Sequence, residues 1–138
     1  MVLNMKVLFV CVENSGRSQM AEAFAKKLGL DATSAGTLPA TAINPGVVEV
    51  MKERGFDLST NRPKLLTMEM VNASDLVITM GCSIEEVCPA PMIAKMQKKL
   101  VDWNLEDPKS RRIEKVREVS NEIEHRVGEL IRLSKSKT

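Results

Sequence analysis

The stretch from Lys6 to Ser18 constrains the fold of this chain most strongly. Lys6 to Val10 is a short run dominated by apolar residues without alternation, which predicts a strand of a parallel sheet covered on both faces. Cys11 follows, then a polar loop that ends in Gly16 and Arg17, and an apolar helical pattern begins at Met20. A strand, loop and helix in this order direct backbone N–H groups at a helix N-terminus, where an anion is stabilised. The stretch therefore predicts an oxyanion site with a cysteine at one end and an arginine at the other.

Strands and helices alternate along the rest of the chain. Helical patterns cover residues 20–28, 44–55 and 110–133, with a shorter one at 65–72, and we expect residues 134–138 to be frayed. Further strands are predicted at 32–35, 75–81 and 100–105. This order predicts an α/β fold: a single domain, residues 1–138, with a doubly wound four-stranded parallel sheet flanked by helices. Its site lies at the carboxyl ends of the strands, where we expect Cys11, Cys82 and Asp107 to meet.

Composition excludes several classes of protein. The chain has 138 residues and a net charge of only +2, and its basic residues are interleaved with acidic ones, so no nucleic-acid interface is expected. No stretch approaches the ~20 apolar residues of a membrane span, and we expect a cytoplasmic protein without a membrane partner. Three cysteines are an odd number, which argues against a secreted disulfide framework. We expect a monomer without a cofactor.

Cys11 has the surroundings of a nucleophile. A thiol pKa of about 8.5 falls to ~3.5–7.5 near a helix N-terminus or an arginine, and the thiolate is the reactive form. The planar fork of Arg17 suits two oxygens of a tetrahedral anion, and Ser18 can hydrogen-bond the sulfur. A small buried cysteine at a strand end is the alternative, and the C-x5-R spacing alone is weak. The strand before it and the helix after it favour the nucleophile.

The loop between Cys11 and the helix is predicted to bind the oxyanion. Asn14 tolerates a left-handed conformation, and Gly16 permits backbone geometry closed to other residues. A Glu13 carboxylate facing inward would repel an anion, so we expect it to point outward. The predicted oxyanion-binding residues are Val12, Glu13, Asn14, Ser15, Gly16, Arg17 and Ser18.

The segment Cys11-Val-Glu-Asn-Ser-Gly-Arg-Ser-Gln-Met-Ala-Glu22 resembles the active-site segment of the low-molecular-weight protein tyrosine phosphatase superfamily. More closely, it is similar to the thioredoxin-coupled arsenate reductases within that superfamily. The resemblance extends through Ser34-Ala-Gly36, Asn44-Pro45, residues 75–79 and Asp107-Pro108. It implies a doubly wound four-stranded parallel sheet, attack by Cys11, and Asp107 as the acid.

Cys82 and Cys88 add a second chemical possibility. In an α-helix, residues at this spacing are about 9 Å apart along the axis, whereas a disulfide needs Cα atoms within about 4.4–6.8 Å. If the segment is helical when reduced, joining the two must unwind it. The resemblance implies a relay in which Cys82 attacks an arsenylated Cys11 and Cys88 then attacks Cys82. The Cys82–Cys88 disulfide is then reduced by thioredoxin or a similar dithiol protein.

Other interpretations of these two cysteines remain. Cys82 can be buried after its strand, with Cys88 incidental. A zinc site with His125 is disfavoured because the spacing is wider than the usual C-x2–4-C pattern, so no metal is predicted.

Two departures from the family pattern bear on function. Related phosphatases usually carry an aromatic residue after Asp-Pro, whereas Lys109 follows Pro108 here and the chain has no tyrosine. Several of the reductases bind potassium near the loop, a pattern that Asn14 and Glu22 match. Lys64 lies in the stretch expected to supply further ligands, and a lysine there can replace the cation, so we predict no potassium.

Three functions follow as hypotheses. The first is an arsenate reductase that uses Cys11, Cys82 and Cys88. The alternative is a low-molecular-weight phosphatase that hydrolyses phosphomonoesters through a cysteinyl-phosphate, using Cys11, Arg17 and Asp107. The third is an inactive oxyanion-binding or redox sensor protein.

Overall fold

A computed structural model of the chain describes residues 5–81, 90–96, 99–109 and 112–136. Cys82 and Cys88 lie outside these residues. The elements in chain order are β1 (Lys6–Cys11), α1 (Arg17–Lys27), β2 (Asp31–Gly36), α2 (Pro45–Glu53), α3 (Met68–Ala73), β3 (Leu76–Thr79), α4 (Ala90–Met96), β4 (Leu100–Asp102) and α5 (Ile113–Ser136).

The four strands form one parallel sheet in the order β2-β1-β3-β4. This confirms the predicted fold class. Because β2 and β3 pair with opposite edges of β1, the strand order reverses at β1. In open α/β sheets, ligands bind at the carboxyl end of the strands at such a reversal. Cys11, the last residue of β1, lies at this point.

The two faces of the sheet are packed against different helices. Val7 and Phe9 belong to the larger core cluster, which includes residues of α1, α2 and α5. Leu8 and Val10 point to the other face, where they form a smaller cluster with Val71 of α3. This alternation follows from the period of two in a strand and buries β1 on both sides. The central strand is therefore a rigid support for the loop that follows it.

The strand and helix ends differ in places from the predictions. β4 stops at Asp102 instead of continuing to Leu105, because the Asp102 carboxylate accepts hydrogen bonds from Thr79 Oγ1 and from the N–H groups of Gly81 and Asn104. These bonds turn the chain out of the sheet. α5 extends to Ser136, so the expectation that fraying begins at residue 134 is wrong. Among the helices that the structure describes, none has the length and apolar character needed to cross a bilayer.

Candidate active site

A cavity of about 430 Å³ opens at the carboxyl ends of the strands. It brings together Cys11 and Arg17, at the two ends of one loop, and Asp107 from a distant part of the chain. The other lining residues are Val12, Glu13, Ser15, Gly16, Asn44, Gly81, Leu105, Pro108 and Lys109. Among these described lining residues, none is aromatic.

Cys11 lies at the bottom of this cavity and is 4% exposed. The backbone N–H of Asn14 donates to its Sγ at 3.2 Å, and Ser18 Oγ lies 2.9 Å from the same sulfur. α1 begins at Arg17, so its N-terminus is close to Cys11 in sequence and in space. Hydrogen-bond donors and a helix N-terminus both favour a thiolate over a neutral thiol.

The position of Asn14 decides the direction of the Ser18 hydrogen bond. Asn14 Oδ1 accepts from the backbone N–H of Lys64 at 2.9 Å, which can only donate, so the orientation of the amide is fixed. Asn14 Nδ2 then donates to Ser18 Oγ at 2.7 Å. Because Ser18 Oγ accepts there, its hydroxyl proton is free to point at Cys11 Sγ.

Asn14 is also the residue of the loop with a left-handed backbone. Its φ is 52°, whereas Gly16 has a φ of −142°. Asparagine is one of the few residues other than glycine that adopt this region readily. Gln19 Nε2 donates to Asn14 Oδ1 at 2.9 Å and so supports the same conformation from α1.

The carbonyl groups of the loop are bound by a neighbouring segment. The carbonyl oxygens of Val12, Glu13 and Ser15 accept from the N–H groups of Leu38, Ala40 and Asn44 at 2.8–3.0 Å. These bonds occupy the negative ends of the loop's peptide dipoles. An anion inside the loop therefore meets N–H groups in preference to carbonyl oxygens.

The Arg17 side chain contacts Met80, Leu105 and Asp107 and is only 8% exposed. Its Nη1 donates to the carbonyl oxygens of Met80 at 2.6 Å and Leu105 at 3.0 Å, after β3 and after β4 respectively. Its Nη2 lies 3.7 Å from Asp107 Oδ2. The guanidinium is thus held in place beside Cys11 and beside the predicted acid.

Asp107 lies at the mouth, with 59% of its side chain exposed. Its Oδ1 accepts from the backbone N–H of Lys109 at 2.9 Å. The carboxyl group is therefore held at the rim and is open to solvent.

Glu13 and Lys109 form an ion pair at the rim, with 2.7 Å between Glu13 Oε2 and Lys109 Nζ. The Glu13 carboxylate thus lines the cavity at its rim, where it is paired with a cation, rather than pointing away from the site as expected. The hydrogen bond and charge of Glu13 raise the pKa of Lys109 above its ordinary value, with a further contribution from Asp107.

Behind the loop, a buried carboxylate is neutralised by lysines. Glu22 Oε1 accepts from Ser34 and lies 3.3 Å from Lys64 Nζ, while Glu22 Oε2 lies 2.6 Å from Lys26 Nζ. Burial raises the pKa of Glu22, but the hydrogen bonds from Lys26 and Ser34 and the charges of the two lysines outweigh it and leave the pKa below its ordinary value. The Lys64 ammonium thus lies within ion-pair distance of the Glu22 carboxylate.

The remaining sequence candidates are separate from this site. His125 is 68% exposed on its side chain, pairs with Glu129 at 2.9 Å on α5, and lines a second cavity that lies beside β4 and Trp103. Cys82 and Cys88 lie outside the described residues, so their places in the relay stay predictions. Trp103 is buried beside Phe9, with 5.6 Å between ring centroids, and belongs to the core.

Sequence reasoning missed several residues that shape the site. Gln19 and Asn61 form a hydrogen-bonded support behind the loop, with Asn61 Nδ2 donating to Gln19 Oε1 at 3.2 Å. Gly81 and Leu105 form part of the wall. The one local sequence signal for this support was the position of Gln19 in the first turn of α1, directly after the loop.

Comparison with known protein families shows to which family this chain belongs. The family described as low molecular weight phosphotyrosine protein phosphatase matches residues 6–138. The chain belongs to this family. It is therefore an enzyme of the low molecular weight phosphatase type.

Relatives within the family carry a second activity. A putative arsenate reductase of Halobacterium salinarum is 39% identical over 130 residues, which cover 88% of this chain and 87% of the relative. A glutaredoxin arsenate reductase of Synechocystis is 40% identical over 134 residues, covering 91% and 95% of the two chains.

Solved structures agree with the fold. An arginine phosphatase from Geobacillus stearothermophilus matches with a TM-score of 0.85 over 96% of this chain and 94% of the other, at 23% identity, so it is a likeness of fold alone. A thioredoxin-dependent arsenate reductase of Corynebacterium glutamicum matches with a TM-score of 0.76 at 40% identity, over 97% of this chain and 63% of the other.

Proposed function

We propose that this enzyme reduces arsenate to arsenite through Cys11, Cys82 and Cys88. One observation carries the proposal: Cys11, Arg17 and Asp107 share a cavity with Gly81, the residue directly before Cys82. The identity to arsenate reductases of the family supports the same activity.

The first step is substitution at arsenic. The Cys11 thiolate attacks the As(V) centre and forms an S–As bond, while one As–O bond breaks. Arg17 and the loop N–H groups bind the remaining oxygens, and Asp107 donates the proton that lets the departing oxygen leave as water.

The second step is the reduction. The Cys82 thiolate attacks Cys11 Sγ, an S–S bond forms, and the electron pair of the S–As bond stays on arsenic, which leaves as arsenite. Cys88 then attacks Cys82 and releases Cys11 as a thiolate. The protein ends with a Cys82–Cys88 disulfide and has lost two electrons to arsenic.

Covalent geometry supports an attack by Cys82. Cys82 follows Gly81 directly in the chain. Gly81 is fixed in the cavity wall, where its N–H donates to Asp102 at 2.9 Å. The chain therefore enters the Cys82 segment from the wall of the cavity that holds the nucleophile.

The reductant that closes the cycle is a dithiol protein. Thioredoxin is our first choice, because a relative of 40% identity is thioredoxin-dependent. The Synechocystis relative is a glutaredoxin arsenate reductase, which makes glutaredoxin the alternative.

Phosphomonoester hydrolysis is the second candidate function, since the family is one of phosphotyrosine phosphatases. It uses the same Cys11, Arg17 and Asp107, with water in place of Cys82 as the second nucleophile. The absence of aromatic side chains from the described part of the cavity lining argues against a phosphotyrosine ring as the preferred substituent.

Substitution of the second cysteine separates the two functions. Cys82→Ser is expected to abolish multiple-turnover arsenate reduction with thioredoxin and thioredoxin reductase, while hydrolysis of p-nitrophenyl phosphate stays within about twofold of the unmodified enzyme. Cys11→Ser must abolish both activities. Normal arsenate reduction by Cys82→Ser would contradict the relay, and activity in Cys11→Ser would contradict the site.

A thiol count gives an independent measurement. Reduced protein incubated with arsenate in the absence of reductant should lose two free thiols, with the disulfide mapped by mass spectrometry to Cys82 and Cys88. Cys88→Ser should stop at a Cys11–Cys82 disulfide. Retention of all three thiols would favour the phosphatase.

A further inference from the structure

We propose that the Glu13–Lys109 ion pair is a selectivity strap that favours free inorganic oxyanions over organic phosphomonoesters. The inference rests on the proposed oxyanion chemistry at Cys11 and assigns its substrate class. The strap consists of these two side chains only.

The strap joins the two loops that carry the reacting groups. Glu13 belongs to the loop after Cys11, and Lys109 follows Asp107-Pro108. Both residues line the cavity, and their charged atoms are 2.7 Å apart. No organic group passes between atoms at that separation.

The position of the strap matters because of the direction in which a substituent leaves the site. In an in-line displacement by Cys11, the departing oxygen lies opposite the sulfur and beside the acid, Asp107. A substituent on that oxygen extends past Asp107 toward the rim, where Lys109 is bonded to Glu13. The departing oxygen of inorganic arsenate or phosphate carries no more than a proton and does not reach the strap.

The charges of the strap also matter for binding. Paired with Lys109, the Glu13 carboxylate repels an incoming anion less than a lone carboxylate in the loop would. The side chains are 37% and 56% exposed, so the pair is weak, screened by salt and easily opened. The strap therefore biases selection by a few-fold and does not close the site.

Two properties separate a strap from a simple charge effect. Glu13→Gln removes a negative charge near the site and should tighten the binding of all anions, whereas Lys109→Gln should weaken it. Both variants break the strap. Both should therefore raise the affinity for a bulky phosphonate relative to phosphate, although the absolute affinities move in opposite directions.

The test measures protection of Cys11 from iodoacetamide, followed on the Cys11 peptide by mass spectrometry. The two probes are inorganic phosphate and benzylphosphonate, whose C–P bond is not hydrolysed. In both single variants the ratio of benzylphosphonate to phosphate affinity should rise about two- to fivefold, the range that exposed ion pairs allow. The charge-swapped double variant Glu13→Lys/Lys109→Glu should return it to the original value.

Glu53→Gln is the matched control, because Glu53 forms an ion pair of similar exposure with Arg117 at 2.8 Å, away from the cavity. It should leave the ratio unchanged. An unchanged ratio in both single variants, or a swapped variant that fails to restore it, overturns the strap. Failure of arsenate reduction would overturn the proposed function and would leave this binding ratio standing.

Discussion

The backbone N–H of Lys64 donates to Asn14 Oδ1 at 2.9 Å, although 50 positions of the chain separate the two residues. The bond fixes the Asn14 amide, which donates to Ser18, whose hydroxyl then faces Cys11. The surroundings of the Cys11 sulfur are thus tied to a segment that lies behind the loop and outside the described cavity lining.

Removal of the Asn14 side chain should destabilise the protein and slow the chemistry. Asn14→Ala leaves the Lys64 N–H without its acceptor, removes one of the two acceptors of Gln19 Nε2, and keeps a β-carbon at a φ of 52°. We expect a loss of about 2–4 kcal/mol in the free energy of unfolding. Asn14→Gly loses the same hydrogen bonds but accepts the left-handed backbone, so it should be about 1 kcal/mol more stable than the alanine variant. Urea denaturation measures both, and equal stabilities would refute the backbone argument.

The Ser18 hydroxyl should influence the ionisation of the Cys11 thiol. Ser18→Ala removes a donor 2.9 Å from Cys11 Sγ, so the midpoint of the pH profile for alkylation of Cys11 should move to higher pH. Ser18→Thr keeps the hydroxyl and should leave the midpoint near its original place. A midpoint that is the same in Ser18→Ala and the unmodified protein would show that the hydroxyl does not act on the thiolate.

Gly81 should tolerate no side chain. A β-carbon there would lie 2.6 Å from the Leu105 carbonyl oxygen and 3.3 Å from Arg17 Nη1, at a φ of 97°. We expect Gly81→Ala to lose about 2–5 kcal/mol of stability and to weaken phosphate binding as Leu105 and Arg17 shift.

Gly55 is the control for this substitution. It has a similar φ of 89°, and no atom of the described residues lies within 4 Å of the position that a β-carbon would take there. Gly55→Ala should therefore cost only about 1–2 kcal/mol, the penalty of the left-handed backbone, and leave phosphate binding unchanged. If the two alanine variants behave alike, close packing at Gly81 is not the cause.

The Glu22 carboxylate should stabilise the fold in a pH-dependent way. Because its pKa in the folded protein lies below the ordinary value of 4.5, its stabilising effect is present above pH 4.5 and is lost as the pH falls through the folded pKa. Glu22→Gln should therefore be less stable than the unmodified protein by about 1–3 kcal/mol at pH 7. The difference should shrink under acid, as followed by thermal unfolding from pH 7 to pH 3. A difference that stays constant across that range would refute the assignment.

The site was predictable from the sequence where it is encoded locally. Cys11 and Arg17 are joined by one loop between a strand and a helix, so local pattern alone brings them together. Asp107 was predicted to share their edge because it follows a strand of the same sheet, and the cavity lining agrees.

Other features depend on partners distant in sequence. α1 begins at Arg17, although the apolar pattern begins at Met20, because Arg17, Ser18 and Gln19 are polar residues buried by contacts with the site. The length of β4 is set by the hydrogen bonds that Asp102 accepts from Thr79 and Gly81 at the end of β3. Contacts of these two kinds are not encoded in the local pattern of apolar and polar residues.

The hydrogen bond from Arg17 to the Met80 carbonyl has a consequence for how the enzyme senses its substrate. One guanidinium lies beside the anion site and also anchors the backbone two residues before Cys82. An oxyanion that fixes the position of Arg17 therefore also affects the position of the Met80 backbone. Thermodynamic reciprocity requires the converse. A binding event that displaces the Met80 backbone must change the free energy of oxyanion binding by the same coupling free energy. Oxyanion binding and the position of the Met80 backbone are therefore coupled through one arginine, Arg17.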